Sequence, residues 1–288
     1  MTTVVRRWDD GVVLGAARVV VGMFALAACG RVHFDEHETD AGVSPWGVPV
    51  TRSELRGDRS NEDPSVSSDR LTIVWTSQRS GGLGSFDIWM ATRTAPMAAF
   101  ENVRNLVEIN SAQHEGSPEL SADGLTLSFA SEVNGASEIY RSVRPTLSST
   151  WGAPLRVDDL SSAMQDYEVA IAPDELTAMI NREGDFVELT RANVTASFGG
   201  ETVHPELYVA DGDASPTIDN GARTIYFHSG TIRDLYVARR TPGGTFSAPV
   251  PVVELDTPNN READPFMSAD DRYLVFNCEV DICEVERE

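Results

Sequence analysis

The chain has no lysine. All 23 of its basic residues are arginine, set against 45 acids for a formal charge of −22. Without a lysine amine there is no Schiff-base, Ser-Lys or lysine-type phosphate chemistry. A surface this acidic repels phosphate backbones and anionic headgroups, which excludes nucleic acid as a partner. Helical periodicity is missing too: no stretch keeps it across eleven residues. No Ser stands in a Gly-x-Ser-x-Gly elbow, and Gly81-Gly82-Leu83-Gly84 lies between strand patterns rather than ahead of a helix, so nothing cradles a phosphate. Histidine does not cluster beyond position 37; His114 and His204 fall in connections and His228 in a strand pattern.

Long hydrophobic runs are also lacking. The ten residues from Val19 to Ala28 are too few to span a bilayer. Following Arg6, Arg7 and Arg18, they have the charge asymmetry of a secretory signal. Leu26-Ala27-Ala28-Cys29-Gly30 resembles the lipobox of bacterial lipoproteins. That resemblance implies a signal over residues 1–28 and a lipid on Cys29. With no acid at Gly30, it also implies outer-membrane placement facing the periplasm or the cell surface. Residues 29–45, rich in acids and His, read as an acidic tether with no apolar periodicity. Of the two other cysteines, Cys278 and Cys283 bracket a hairpin turn. Export permits a disulfide there, and two reduced, buried thiols are the alternative.

What the chain does have is repetition. Asp63-Pro64, Ser117-Pro118, Glu168-Val169, Ser215-Pro216 and Asp264-Pro265 each open a strand-turn pattern, at intervals of 54, 51, 47 and 49 residues. An acid-aliphatic pair recurs as Asp87-Ile88, Glu138-Ile139, Glu188-Leu189, Asp234-Leu235 and Asp281-Ile282. An aromatic recurs as Trp46, Phe100, Trp151, Phe198 and Phe246. A period near 50 built of short strands predicts an all-β fold, a five-bladed β-propeller of four-stranded antiparallel blades over residues 46–288. The chain enters with a fourth-strand pattern (46–55) and leaves with a third, so the N-terminal strand is predicted to close the last blade and remove two sheet edges. Asp69, Asp123, Asp174 and Asp270 occupy turns, where Asp caps its own backbone.

Ser117-Pro118-Glu119-Leu120-Ser121-Ala122-Asp123-Gly124 with Glu138-Ile139-Tyr140, and Asp63 to Asp69 with Arg79 to Trp89, resemble the WD-repeat-like propeller repeat of the TolB type. Blade three departs from it at Glu168-Val169 and Thr190. The resemblance implies an envelope lipoprotein acting as an interaction platform.

Most acids obey the repeat, whereas catalytic acids have separate jobs and break it. The functional expectation is therefore a non-catalytic platform for an envelope protein or peptide, with a membrane contact only through the lipid anchor. A carbohydrate-binding propeller, recognised by unrepeated aromatics at one rim, is the alternative. A glycoside hydrolase, recognised by unrepeated carboxylates converging in the channel, ranks below it. No cofactor and no metal ligand set is expected. The binding mouth is expected at the starts of the innermost strands, where Glu115, Asp166, Asp213 and Glu262, with Asn61 and Glu62 in the first blade, would form an acidic ring for a basic peptide segment or a calcium ion. Capping of nearby backbone donors is the other use of those side chains.

Overall fold

A computed structural model describes residues 45–231, 233–256 and 261–287. The signal, Cys29 and most of the tether lie outside the described residues. A two-residue strand β1 (Val50–Thr51) enters first. Blade one follows as β2 (Asn61–Val66), β3 (Thr72–Ser77), β4 (Asp87–Thr92) and β5 (Glu101–Asn105). Blade two comprises β6 (Glu115–Leu120), β7 (Thr126–Ser131), β8 (Glu138–Val143) and β9 (Leu155–Arg156). Blade three comprises β10 (Asp166–Ile171), β11 (Thr177–Arg182), β12 (Asp185–Thr190) and β13 (Gly199–Val203). Blade four comprises β14 (Ala214–Ile218), β15 (Thr224–Ser229), β16 (Asp234–Arg239) and β17 (Val250–Pro251). Blade five has β18 (Glu262–Met267), β19 (Tyr273–Cys278) and β20 (Asp281–Glu286), with β1 as its fourth strand.

The closure is antiparallel, with Val50 opposite Glu284 and Thr51 opposite Cys283. Next to it Arg52, just past β1, and Arg93, just past β4, converge on the fully buried Glu284, which also accepts the Tyr273 hydroxyl. Cys278 and Cys283 are joined by a disulfide across the β19–β20 hairpin.

Each turn after an innermost strand is fastened by its Asp. The backbone N–H groups of Leu71, Leu125 and Leu176 donate to Asp69, Asp123 and Asp174 at 2.9–3.0 Å. The core lies between blades: Val74, Ile88 and Met90 of blade one pack on Leu127, Phe129 and Trp151 of blade two. A second fivefold feature is an arginine just beyond each third strand. Arg93, Arg144, Arg191, Arg240 and Arg287 lie 4.0–4.5 Å over Phe100, Trp151, Phe198, Phe246 and Trp46. Each donates its Nε to a carbonyl of the first turn of its blade. The recurring aromatics are thus half of a cation–π clasp.

Candidate functional site in the channel

The acids expected at the channel mouth are spent locally. The Ser111 N–H donates to Glu115 at 2.7 Å, the Ser162 N–H to Asp166 at 2.6 Å and the Val209 N–H to Asp213 at 2.7 Å. Asp166 is also paired with Arg182, Asn61 accepts the Trp75 indole N–H, and Glu262 is buried. These side chains close the loop ahead of each innermost strand, because a buried backbone N–H there needs an acceptor. None of them lines the channel cavities described below. Glu62 is partly exposed, and burial together with the charge of Asp264 raises its pKa.

The channel is lined instead by the residues just before the prolines. In β2, β6, β14 and β18 a bulge puts Asp63, Ser117, Ser215 and Asp264 at φ of 49–52°. Such bulges re-aim side chains. With Glu168 of blade three, these residues wall a compartment of about 30 Å³, room for about one water. Three carboxylates converge there on one hydroxyl: Ser215 Oγ is 3.4 Å from Asp63, 3.0 Å from Glu168 and 2.9 Å from Asp264. A hydroxyl has one proton to give, so the cluster needs a proton from its carboxyl side. Asp63 is the carboxyl most disposed to hold it, since burial and then the charges of Asp264 and Glu168 raise its pKa well above the ordinary range. Asp264 goes the other way. Burial opposes its charge, but hydrogen bonds and charge from His228 bring its pKa below the usual value. Asn277 Nδ2 also donates to it at 2.7 Å.

Beyond this constriction, where the innermost strands end, the channel widens into a cavity of about 400 Å³. Glu119 and Phe266 line both spaces. Glu119 belongs to a cross-strand row in blade two, Glu119–Ser128–Arg141. The equivalent rows are Ser65–Val74–Met90, Ala170–Met179–Glu188, Thr217–Tyr226–Val237 and Phe266–Val275–Glu284. Blade two alone among these rows is polar at all three places. Burial pushes the Glu119 carboxyl up to about 8, against the opposing effect of a hydrogen bond from the Ile171 backbone N–H. Glu119 is therefore an acid that keeps its proton at neutral pH, in a cavity of small-molecule size.

Sequence reasoning passed over these residues because it followed what repeats. The signal was the opposite one. The position before the proline, or before Val169 in blade three, reads Asp, Ser, Glu, Ser, Asp, and the middle of the second strand carries Ser128 where other blades carry Val74, Met179, Tyr226 and Val275. Among the described residues no three His, Cys, Asp or Glu side chains are arranged to hold a metal ion. No helix among them is long and apolar enough to cross a membrane.

No protein-family profile matches the chain, and no curated protein matches its sequence. Solved structures of similar fold include TolB from Acinetobacter baumannii, at 16% identity over 80% of this chain and 55% of that one, TM-score 0.46. An arabinanase from Bacillus subtilis matches at 11% identity over 80% of this chain and 95% of that one, TM-score 0.49. A gluconolactonase from Xanthomonas campestris matches at 13% over 83% and 89%, TM-score 0.47. The chain spans about half the length of that TolB. Likeness of this degree says nothing of activity; the five blades are read from the strand order of the chain itself.

The expectation of a non-catalytic platform is corrected here. The architecture that suggested it is shared by proteins named arabinanase and gluconolactonase as well as TolB, so it gives no ground for excluding catalysis. Three carboxylates do converge in the channel, Asp63, Glu168 and Asp264 around Ser215 Oγ, at one repeat position that is acidic in three blades and Ser in two.

Proposed function

We propose that this protein is a hydrolase that cleaves a C–O bond of a small molecule by acid–base catalysis in its central channel. The observation that carries this reading is the split between carboxyl groups along one passage. Glu119, protonated to about pH 8, lies between a 400 Å³ cavity and a water-sized compartment that holds the ionised Asp264. Carboxyl groups whose surroundings drive their pKa values apart suit the roles of acid and base. The substrate sits in the cavity and water in the constriction. Asp264 accepts the water proton as its oxygen attacks, and Glu119 gives its proton to the departing oxygen. Asp63 stays neutral and shares its proton within the Ser215 cluster, keeping a second negative charge from building up beside Asp264.

The test is a panel of chromogenic glycosides, lactones and esters offered to the full chain and to Glu119→Gln. Loss of the general acid should lower kcat about 10²–10⁴-fold. Turnover should hold through neutral pH and fall above about 8 as Glu119 deprotonates. No turnover anywhere in the panel, or equal turnover by the variant, rejects the reading. The cell envelope is its setting in this reading, supported by the lipobox-like Leu26 to Gly30 with Cys29 as the lipidated residue. Cys29→Ala should then leave the membrane fraction and take up no lipid label.

A further inference from the structure

The recurring arginines meet the preceding blade at its third-strand row position. Where that position holds a glutamate, the two pair: Glu284 with Arg93 at 2.8 Å and Glu188 with Arg240 at 3.0 Å. Elsewhere it is apolar, Met90 before Arg144 and Val237 before Arg287. Blade two breaks the rule with a like charge. Arg141 stands there and lines the same cavity as Arg191, the recurring arginine of blade three. Two guanidiniums on one cavity wall repel, and the one carboxylate of that wall, Glu175, is paired with Arg191 rather than Arg141.

The other charges of the cavity are occupied. Arg191 is paired with Glu175 at 3.1 Å, Arg70 with Glu286, and Asp270 accepts from Ser268 and Arg272 in its own turn. Arg141 has only the Ser128 hydroxyl, at 3.4 Å, and no carboxylate partner is seen for it among the described residues. Burial and then the charge of Arg191 lower its pKa, outweighing the opposing charges of Glu175 and Asp159, neither of which hydrogen-bonds to it. The room is there: Arg141 and Val143 also line a cleft of about 390 Å³ that reaches Leu155 and Arg156 at the rim of blade two. The cavity walls beside Arg141 are apolar, formed by Val66, Leu120, Ile171, Ile218, Phe266 and Met267.

We infer that the channel cavity binds a monocarboxylate with an apolar body, its carboxylate held by Arg141 with Arg191 on the side of blades two and three and its body packed on the apolar wall. A single anionic charge fits because one arginine lacks a partner. This builds on the cavity being the ligand site of the proposed hydrolase but does not need hydrolysis, so binding should survive in Glu119→Gln even if no substrate is ever turned over.

The experiment is calorimetric titration of the full chain at pH 7 with 4-phenylbutyrate and with its neutral amide, 4-phenylbutyramide. Wild type should favour the carboxylate about tenfold or more, the scale of one charge-assisted contact. Arg141→Gln should bring the ratio towards one. Arg141→Glu, which restores the pairing seen at Glu188 and Glu284, should abolish carboxylate binding while the melting temperature rises. Equal binding of acid and amide by wild type overturns the inference, as does a preference that persists in Arg141→Gln. Should the substituted proteins fail to fold, the wild-type ratio decides alone.

Discussion

Glu119 is held neutral by its surroundings rather than by a partner, and that has a stability signature. Its folded pKa of about 8 lies above the unfolded value of about 4.3, so above that lower value the folded state resists ionisation at a cost that grows until about pH 8. Glu119→Gln never ionises. It should match wild type in melting temperature near pH 4 and exceed it by roughly 10 °C at pH 8, measured by calorimetry. His204 shows the opposite sign. It lies buried between Glu188 at 2.7 Å and Glu206 at 2.9 Å. Burial works against its charge, but these hydrogen bonds outweigh it and raise its pKa. The stabilisation is fully present below the unfolded value of about 6.5 and is lost as pH rises through the raised folded value. His204→Gln should cost about 2 kcal/mol at pH 5.5 and clearly less at pH 9 in denaturant titrations.

At the scale of elements, β1 is the latch of the ring, and the buried cluster of Glu284, Arg52, Arg93 and Tyr273 fastens it. Removing the acid leaves two buried guanidiniums without their counter-charge, so Glu284→Ala should lose about 3–5 kcal/mol in denaturant titrations. A loss under 1 kcal/mol would show that backbone pairing alone closes the ring. The strand pattern, the five copies and this closure were legible in sequence, because alternation and turn-capping Asp residues such as Asp69 and Asp123 are local signals. The Arg–aromatic clasp was half legible: Phe100 and Trp151 stood out, and their arginines, Arg93 and Arg144, did not. The site was legible only in reverse. Asp63 and Glu168 differ from Ser117 and Ser215 by breaking a pattern, and that they share Ser215 Oγ depends on the curvature of the ring. The acids that kept the pattern, Glu115, Asp166 and Asp213, proved to be loop fasteners.

For the whole molecule, a ring of near-equal blades supplies a rigid channel, and the chemistry is written in the places where the blades differ. Blade two departs most, with Glu119, Ser128 and Arg141 in one row facing the cavity. Glu119 as a carboxylic acid at neutral pH is central to that chemistry. The direct measurement is a ¹³C NMR titration of the side-chain carboxyl groups of the full chain, with the Glu119 resonance assigned by its disappearance in Glu119→Gln. A midpoint near 8 is the predicted result; a midpoint in the ordinary glutamate range of about 4–5 would contradict the account.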